Sequence, residues 1–123
     1  MGTADKFQID FTVYLSKEET APFKSEFNNG EVKAKPSSTY HHSLISTNIN
    51  AELRSALLDK DCFALGSDLK IRIESANASV YPDGMVICGN QEYYEERKDI
   101  ILNPTVVIEV LSDSTAAWDR GGI

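Results

Sequence analysis

The first half of the chain alternates short apolar blocks with turn-forming residues. FTVYLSKEET (11–20) is compatible with a short helix. SEFNNGEVKAKP (25–36) predicts a hairpin. Its Asn29-Gly30 pair supplies the two positive-φ residues of a type I′ turn, Phe27 and Val32 flank it, and Pro36 ends the second strand. Within SSTYHHSLISTNINAELRSALLDK (37–60), Leu44, Ile45, Ile49, Leu53, Ala56 and Leu57 recur at helical spacing. They predict a helix over 38–58 that covers a sheet. Ser38 or Thr39 can cap it, because either hydroxyl oxygen accepts from a free N–H of the first turn.

The second half reads as strands. From Asp68 the stretch CFALGSDLKIRIE (62–74) alternates with period two, placing Leu69, Ile71 and Ile73 on a buried face and Asp68, Lys70, Arg72 and Glu74 on a wet one. SANAS (75–79) is the turn, VYPDGMVICG (80–89) the returning strand, and NQEYYEERKD (90–99) a short helix or polar loop. Asn103-Pro104 starts an extended segment, since a residue before proline avoids the α region. TVVIEVLS (105–112) is then a strand with apolar residues on both faces, hence interior to its sheet and covered twice. The pattern predicts an α/β (α+β) fold, a mixed central sheet flanked by helices.

At 123 residues and 41% hydrophobic, the chain suits one domain able to bury roughly two thirds of its unfolded surface. A net charge of −7 argues against a protein that passively coats nucleic acid, but leaves room for an enzyme with a local basic groove. Cys62 and Cys88 lack metal-site spacing and read as two reduced core thiols. The opening MGTADKFQID has no apolar leader, and no run approaches a membrane span; the expected location is the cytoplasm, with no membrane partner.

Two acids interrupt this picture. Glu109 sits inside the apolar TVVIEVLS, and Asp83 enters an apolar strand just after Pro82. A lone ionised carboxylate buried on both sides costs several kcal/mol, so it must be protonated, paired or metal-bound. Glu109 therefore pairs with a cation such as Lys70 or Arg72, or lies in water because the sheet ends early, or holds a metal. If strands 80–89 and 105–112 are neighbours, Asp83 and Glu109 can converge. Two acids that close repel. Magnesium resolves the conflict with one or two protein carboxylates, waters and a substrate phosphate. The chemistry implied is phosphodiester hydrolysis.

The blocks GSDLKIRI, YPDGMVICG and IILNPTVVIEVLSDSTAAWDRG, in that order, resemble the Uma-two family of bacterial restriction endonucleases, part of the PD-(D/E)XK nuclease superfamily. Pro82-Asp83 matches the family's PD element, and Glu109 its second acidic position. SEFNNGEV resembles the family's early hairpin, placing Glu26 and Glu31, and HHSLISTNI resembles its His-led helix, placing His42 and Asn48. The resemblance covers nearly the whole chain. It implies a restriction-endonuclease-like domain that cuts DNA with Mg2+, with Mn2+ as a substitute, Asp83 and Glu109 as metal ligands and catalytic residues, and Glu26 as a further ligand.

The chain departs from the family in three ways. Asp113 stands where the family has proline, and the N-terminal helix region is short. Family members also run past DRG into a charged helix that carries a lysine, then further strands and a last helix; this chain stops at DRGGI. Leu111 stands where the superfamily's lysine would follow Glu109 by two residues. Such a cation is commonly worth ~3 kcal/mol. Lys70 is a candidate substitute. His42 can act as a base or contact phosphate, Arg72 can meet a DNA backbone, Tyr93 and Tyr94 suit a loop rim, and Trp118 a packing role. A chain ending after a central strand exposes sheet, so a homo-oligomer is expected. The alternative function is a non-catalytic remnant that self-associates or binds a partner.

Overall fold

The computed structural model describes residues 8–111. In chain order the elements are α1 (Phe11–Glu18), β1 (Ser25–Asn28), β2 (Glu31–Ala34), α2 (Tyr40–Ala56), β3 (Cys62–Leu65), β4 (Lys70–Ile73), β5 (Ala78–Val80), β6 (Gly84–Cys88), β7 (Tyr93–Tyr94), β8 (Arg97–Ile101) and β9 (Val106–Ile108). The architecture is mixed α+β. The described chain divides into two compact units: residues 8–36, 68–81 and 91–103 form the first, and residues 37–67, 82–90 and 104–111 the second. Among the described residues no helix is long and apolar enough to cross a membrane.

The first unit holds a six-stranded mixed sheet in the order β2-β1-β5-β4-β8-β7, where β4 and β8 run parallel and the other pairs antiparallel. The β1–β2 hairpin turns as the sequence predicts, with Asn29 and Gly30 at φ +47° and +99°. Phe11, Tyr14 and Leu15 fall at helical spacing on α1 and bury against Phe27 and Ile100. The Tyr14 hydroxyl donates to the Ser25 carbonyl.

Several expectations change here. The strand expected over 62–74 is two strands in different sheets, because Gly66, Ser67 and Asp68 interrupt it. Its expected wet face is wet only at the ends, where Asp68 and Glu74 are exposed; Lys70 between them is only 3% exposed and Arg72 is half-buried. The Lys70 ammonium lies 4.9 Å from the Tyr14 ring centroid and 5.3 Å from that of Tyr81. Arg72 stacks 3.8 Å over Phe11 and donates to Asn77 Oδ1 at 2.9 Å. Long cationic side chains accept this because the stems are apolar and the ring faces are electron-rich. The strand expected over 80–89 also breaks, at Pro82, into β5 and β6. The helix or loop expected over 90–99 contains a second hairpin, β7–β8, whose turn places Glu95 and Glu96 at φ +49° and +64°.

The second unit carries α2 and a three-stranded antiparallel sheet in the order β3-β6-β9. Its twice-covered strand is β6, with Gly84, Met85, Val86 and Ile87 all buried. The 105–112 segment instead forms the short edge strand β9, in which Val106 and Val107 remain 48% and 47% exposed. Residues 112–123, including Trp118, lie outside the described residues. On α2 the stripe is half-buried at Ile45, Ile49, Leu53 and Leu57, while Leu44 and Ala56 are exposed. The helix packs against β3.

The two cysteines are not thiols. Cys62 and Cys88 are directly opposite in the β3–β6 register and form a disulfide. Gly89 N donates to Asp61 O one pair further on, so Cys62 and Cys88 occupy the non-hydrogen-bonded position, where side chains of facing strands stand closest.

Candidate functional site

The second unit holds Asp83, Glu109 and His42, and three separate pieces of local chemistry set Asp83 beside His42 and at the same ladder end as Glu109. Thr39 caps α2: its Oγ1 accepts from His42 N at 3.1 Å, which fixes the first turn and the position of the imidazole. Pro82 then starts the β6 approach and delivers Asp83 immediately before the strand. Gly84 lets the backbones come close, because a Cβ there would stand 3.2 Å from the Leu65 carbonyl oxygen. Finally, β9 pairs with β6 from Val106↔Val86 to Ile108↔Gly84. Asp83 therefore precedes the last pair and Glu109 follows it, so both acids leave the ladder at the same end.

Asp83 ties these pieces together. Its N–H donates to Ile108 O at 3.0 Å. Its Oδ2 accepts from Val110 N at 2.7 Å and lies 3.2 Å from His42 Nε2. The other imidazole nitrogen, Nδ1, is 2.9 Å from Ser38 Oγ. The Asp83 side chain is 7% exposed, whereas Glu109 is exposed. Glu109 is thus not the buried acid its surroundings in sequence suggested. The early end of the β9 ladder puts it in water, and the pairing of β9 with β6 rather than β4 removes Lys70 and Arg72 as strand neighbours.

Glu26, Lys70 and Arg72 belong to the first unit. Glu26 Oε2 accepts from Tyr81 N at 2.8 Å and lies 3.8 Å from Lys35 Nζ, a linking role within that sheet. Burial lowers the Lys70 ammonium below its ordinary value, with the nearby Glu18 carboxylate opposing the shift. Burial likewise raises the hydroxyls of Tyr14 and Tyr81 above their usual range, and Glu18 adds to both shifts. Lys70 is therefore a caged amine beside two protonated tyrosines. Arg72 is held by Phe11 and Asn77.

Sequence reasoning missed Ser38 as a partner of His42 and the Val110 N–H as a partner of Asp83. The first has a signal in hindsight, since a hydroxyl four residues before a histidine at a helix start can reach its ring. A backbone N–H has none. Among the described residues no three His, Cys, Asp or Glu side chains gather into a metal cage. Two carboxylates suffice for magnesium, which keeps several waters.

Comparison with other proteins gives these residues a family. A family model described as "Uma2: Putative restriction endonuclease" matches residues 11–122. From Synechocystis sp. (strain ATCC 27184 / PCC 6803 / Kazusa), protein sll1609 is 31% identical over 107 residues, covering 87% of this chain and 60% of the relative. Protein slr1290 of the same strain is 36% identical over 109 residues, covering 89% of this chain and 56% of the relative. The chain thus spans 56–60% of the length of these curated relatives. A crystal structure of "a putative nuclease belonging to DUF820" from Anabaena variabilis ATCC 29413 shares the fold, with a TM-score of 0.71 at 22% identity, covering 91% of this chain and 63% of that one. From the extent of the family match and the identity to these relatives, the chain belongs to the Uma2 family.

Proposed function

We propose that this chain carries the acidic residues of a magnesium-dependent DNA endonuclease, with Asp83 and Glu109 as the side chains that would hold the cation, Mn2+ serving in its place. The observation that carries the reading is the exit of both acids from the same end of the β6–β9 ladder, with Asp83 tied to the peptide that follows Glu109. A bound Mg2+ supplies polarisation of a phosphoryl oxygen and a more acidic water. The chain's own part is to hold two oxygen donors at fixed backbone positions and to keep Asp83 sheltered while Glu109 meets solvent. Leu111 at the position of the superfamily lysine points to slow turnover. The test is nicking of supercoiled plasmid with Mg2+ or Mn2+, alongside Asp83→Asn and Glu109→Gln. Metal-dependent nicking that both variants abolish is the expected result. Nicking that survives both removes the two acids from the reaction.

A second reading has its own support. Phe63 on β3 is 61% exposed, and Val106 and Val107 on the β9 edge are nearly half exposed. Such surface favours self-association or partner binding. In this reading the chain is a non-catalytic member that forms a homo-oligomer. A single monomeric species in analytical ultracentrifugation at micromolar concentration, together with metal-dependent nicking, would dismiss it.

A further inference from the structure

The hydrogen bonds around Asp83 are lopsided. Both of its side-chain partners, Val110 N–H and His42 Nε2, approach the same oxygen, Oδ2. Among the described residues none donates to Oδ1. Ser38 Oγ lies 2.9 Å from His42 Nδ1, on the opposite side of the ring from Asp83. A neutral imidazole satisfies this arrangement in one tautomer: Nδ1 accepts from the Ser38 hydroxyl, which then gives up its longer 3.2 Å bond to Thr39 O, and Nε2–H donates to Asp83. Thr39 fixes the turn on which the ring is mounted.

We infer that His42 is a positioning residue for Asp83: with Val110 N–H it saturates Oδ2, locks the carboxylate rotation and leaves Oδ1 as the oxygen offered to a divalent cation. The inference rests on the reading of Asp83 as a metal ligand given above. The physical gain is preorganisation. A freely rotating carboxylate must lose rotamer freedom when it binds an ion, whereas this one is already held. Partners of a metal-binding carboxylate typically alter metal affinity 10–100-fold. Because the neutral tautomer suffices, the role needs no change of charge on His42. The same bond to Val110 N fixes the peptide next to Glu109, so the side chain of one candidate ligand orients the backbone of the other.

The experiment measures Mn2+ binding to the full chain by calorimetry, without DNA, for the wild type, His42→Leu, His42→Gln and Asp83→Asn. Circular dichroism confirms that each variant is folded. Gln keeps an N–H donor near the Nε2 position; Leu does not. The expected result is a 10–100-fold loss of affinity in His42→Leu, recovery to within a few-fold of wild type in His42→Gln, and no binding in Asp83→Asn. Equal affinities in the Leu and Gln variants, while Asp83→Asn still abolishes binding, would overturn the role of His42 and leave the metal site standing. Failure of the wild type to bind, or undiminished binding by Asp83→Asn, would overturn both.

Discussion

Breaking the Cys62–Cys88 bond should cost this protein a large share of its stability. The two cysteines are 26 residues apart in sequence, and the loop they close includes β4 and β5. Closing a loop of that length removes about 12 cal/mol/K of entropy from the unfolded chain, or about 3.5 kcal/mol at room temperature in the chain-entropy account. For a domain of this size the corresponding fall in melting temperature is about 10–20 °C. The folded state offers little to replace the tie, since β3 is four residues long and Phe63 on it is exposed. Urea unfolding followed by circular dichroism should show the loss in two independent ways, on reduction with a phosphine and in the Cys62→Ser/Cys88→Ser variant. The two midpoints should coincide. If reduction, verified by mass, changes the unfolding free energy by less than about 1 kcal/mol, the bond does not constrain the unfolded chain as argued. If the purified protein under oxidising conditions exposes two alkylatable thiols, the cross-strand bond itself is wrong.

Two further predictions concern the first unit. The β7–β8 turn holds Glu95 and Glu96 in the left-handed region, which costs an ordinary L-residue about 1–2 kcal/mol. Grafting the Asn-Gly pair of the first hairpin, Glu95→Asn/Glu96→Gly, should therefore raise stability by about 1 kcal/mol after the entropy of the new glycine is discounted. An unchanged or lower urea midpoint would show that the glutamates make compensating contacts. Lys70 should give the protein a pH-dependent stability. Its folded value lies below the ordinary 10.5, so below that pH the unfolded chain holds the proton more tightly and stability rises with pH through the window between the two values. The raised tyrosine hydroxyls work in the opposite sense only above about pH 10, where unfolded tyrosines ionise. Thermal melts of wild type and Lys70→Met on approach to pH 10 should show a steeper rise for the wild type. Parallel curves would mean that the amine is solvated.

Local chemistry was legible wherever one or two residues decide the outcome. Asn29-Gly30 dictated a hairpin because few other pairs accept two positive φ angles, and the structure has that turn. Ser38 and Thr39 were the two candidate caps of α2, and Thr39 supplies the hydroxyl that starts it. Several blocks in one order, the PD element and the later acid among them, indicated the family. What the sequence could not show was which strands pair. A period-two pattern is the same for a strand in either sheet, so 62–74 and 80–89 each read as one strand although Gly66 and Pro82 divide them between two units. The turn at Glu95-Glu96 carries no glycine or asparagine to betray it. The burial of Lys70 depends on rings from α1 and Tyr81 that are remote in sequence.

Partner choice also decided the candidate site. Asp83 and Glu109 could be identified as unusual acids from their neighbours, but only the pairing of β6 with β9 places them at one end of a ladder. That same pairing makes β9 an edge and puts Glu109 in water instead of in the dry core its flanking valines suggested. The Val110 N–H and the His42 ring reach Asp83 from segments far apart in the chain, as Cys62 reaches Cys88. Spacing and composition fix what each residue can do; tertiary pairing fixes which oxygen, nitrogen or sulfur it meets, because long-range contacts depend on strand register rather than on any local preference.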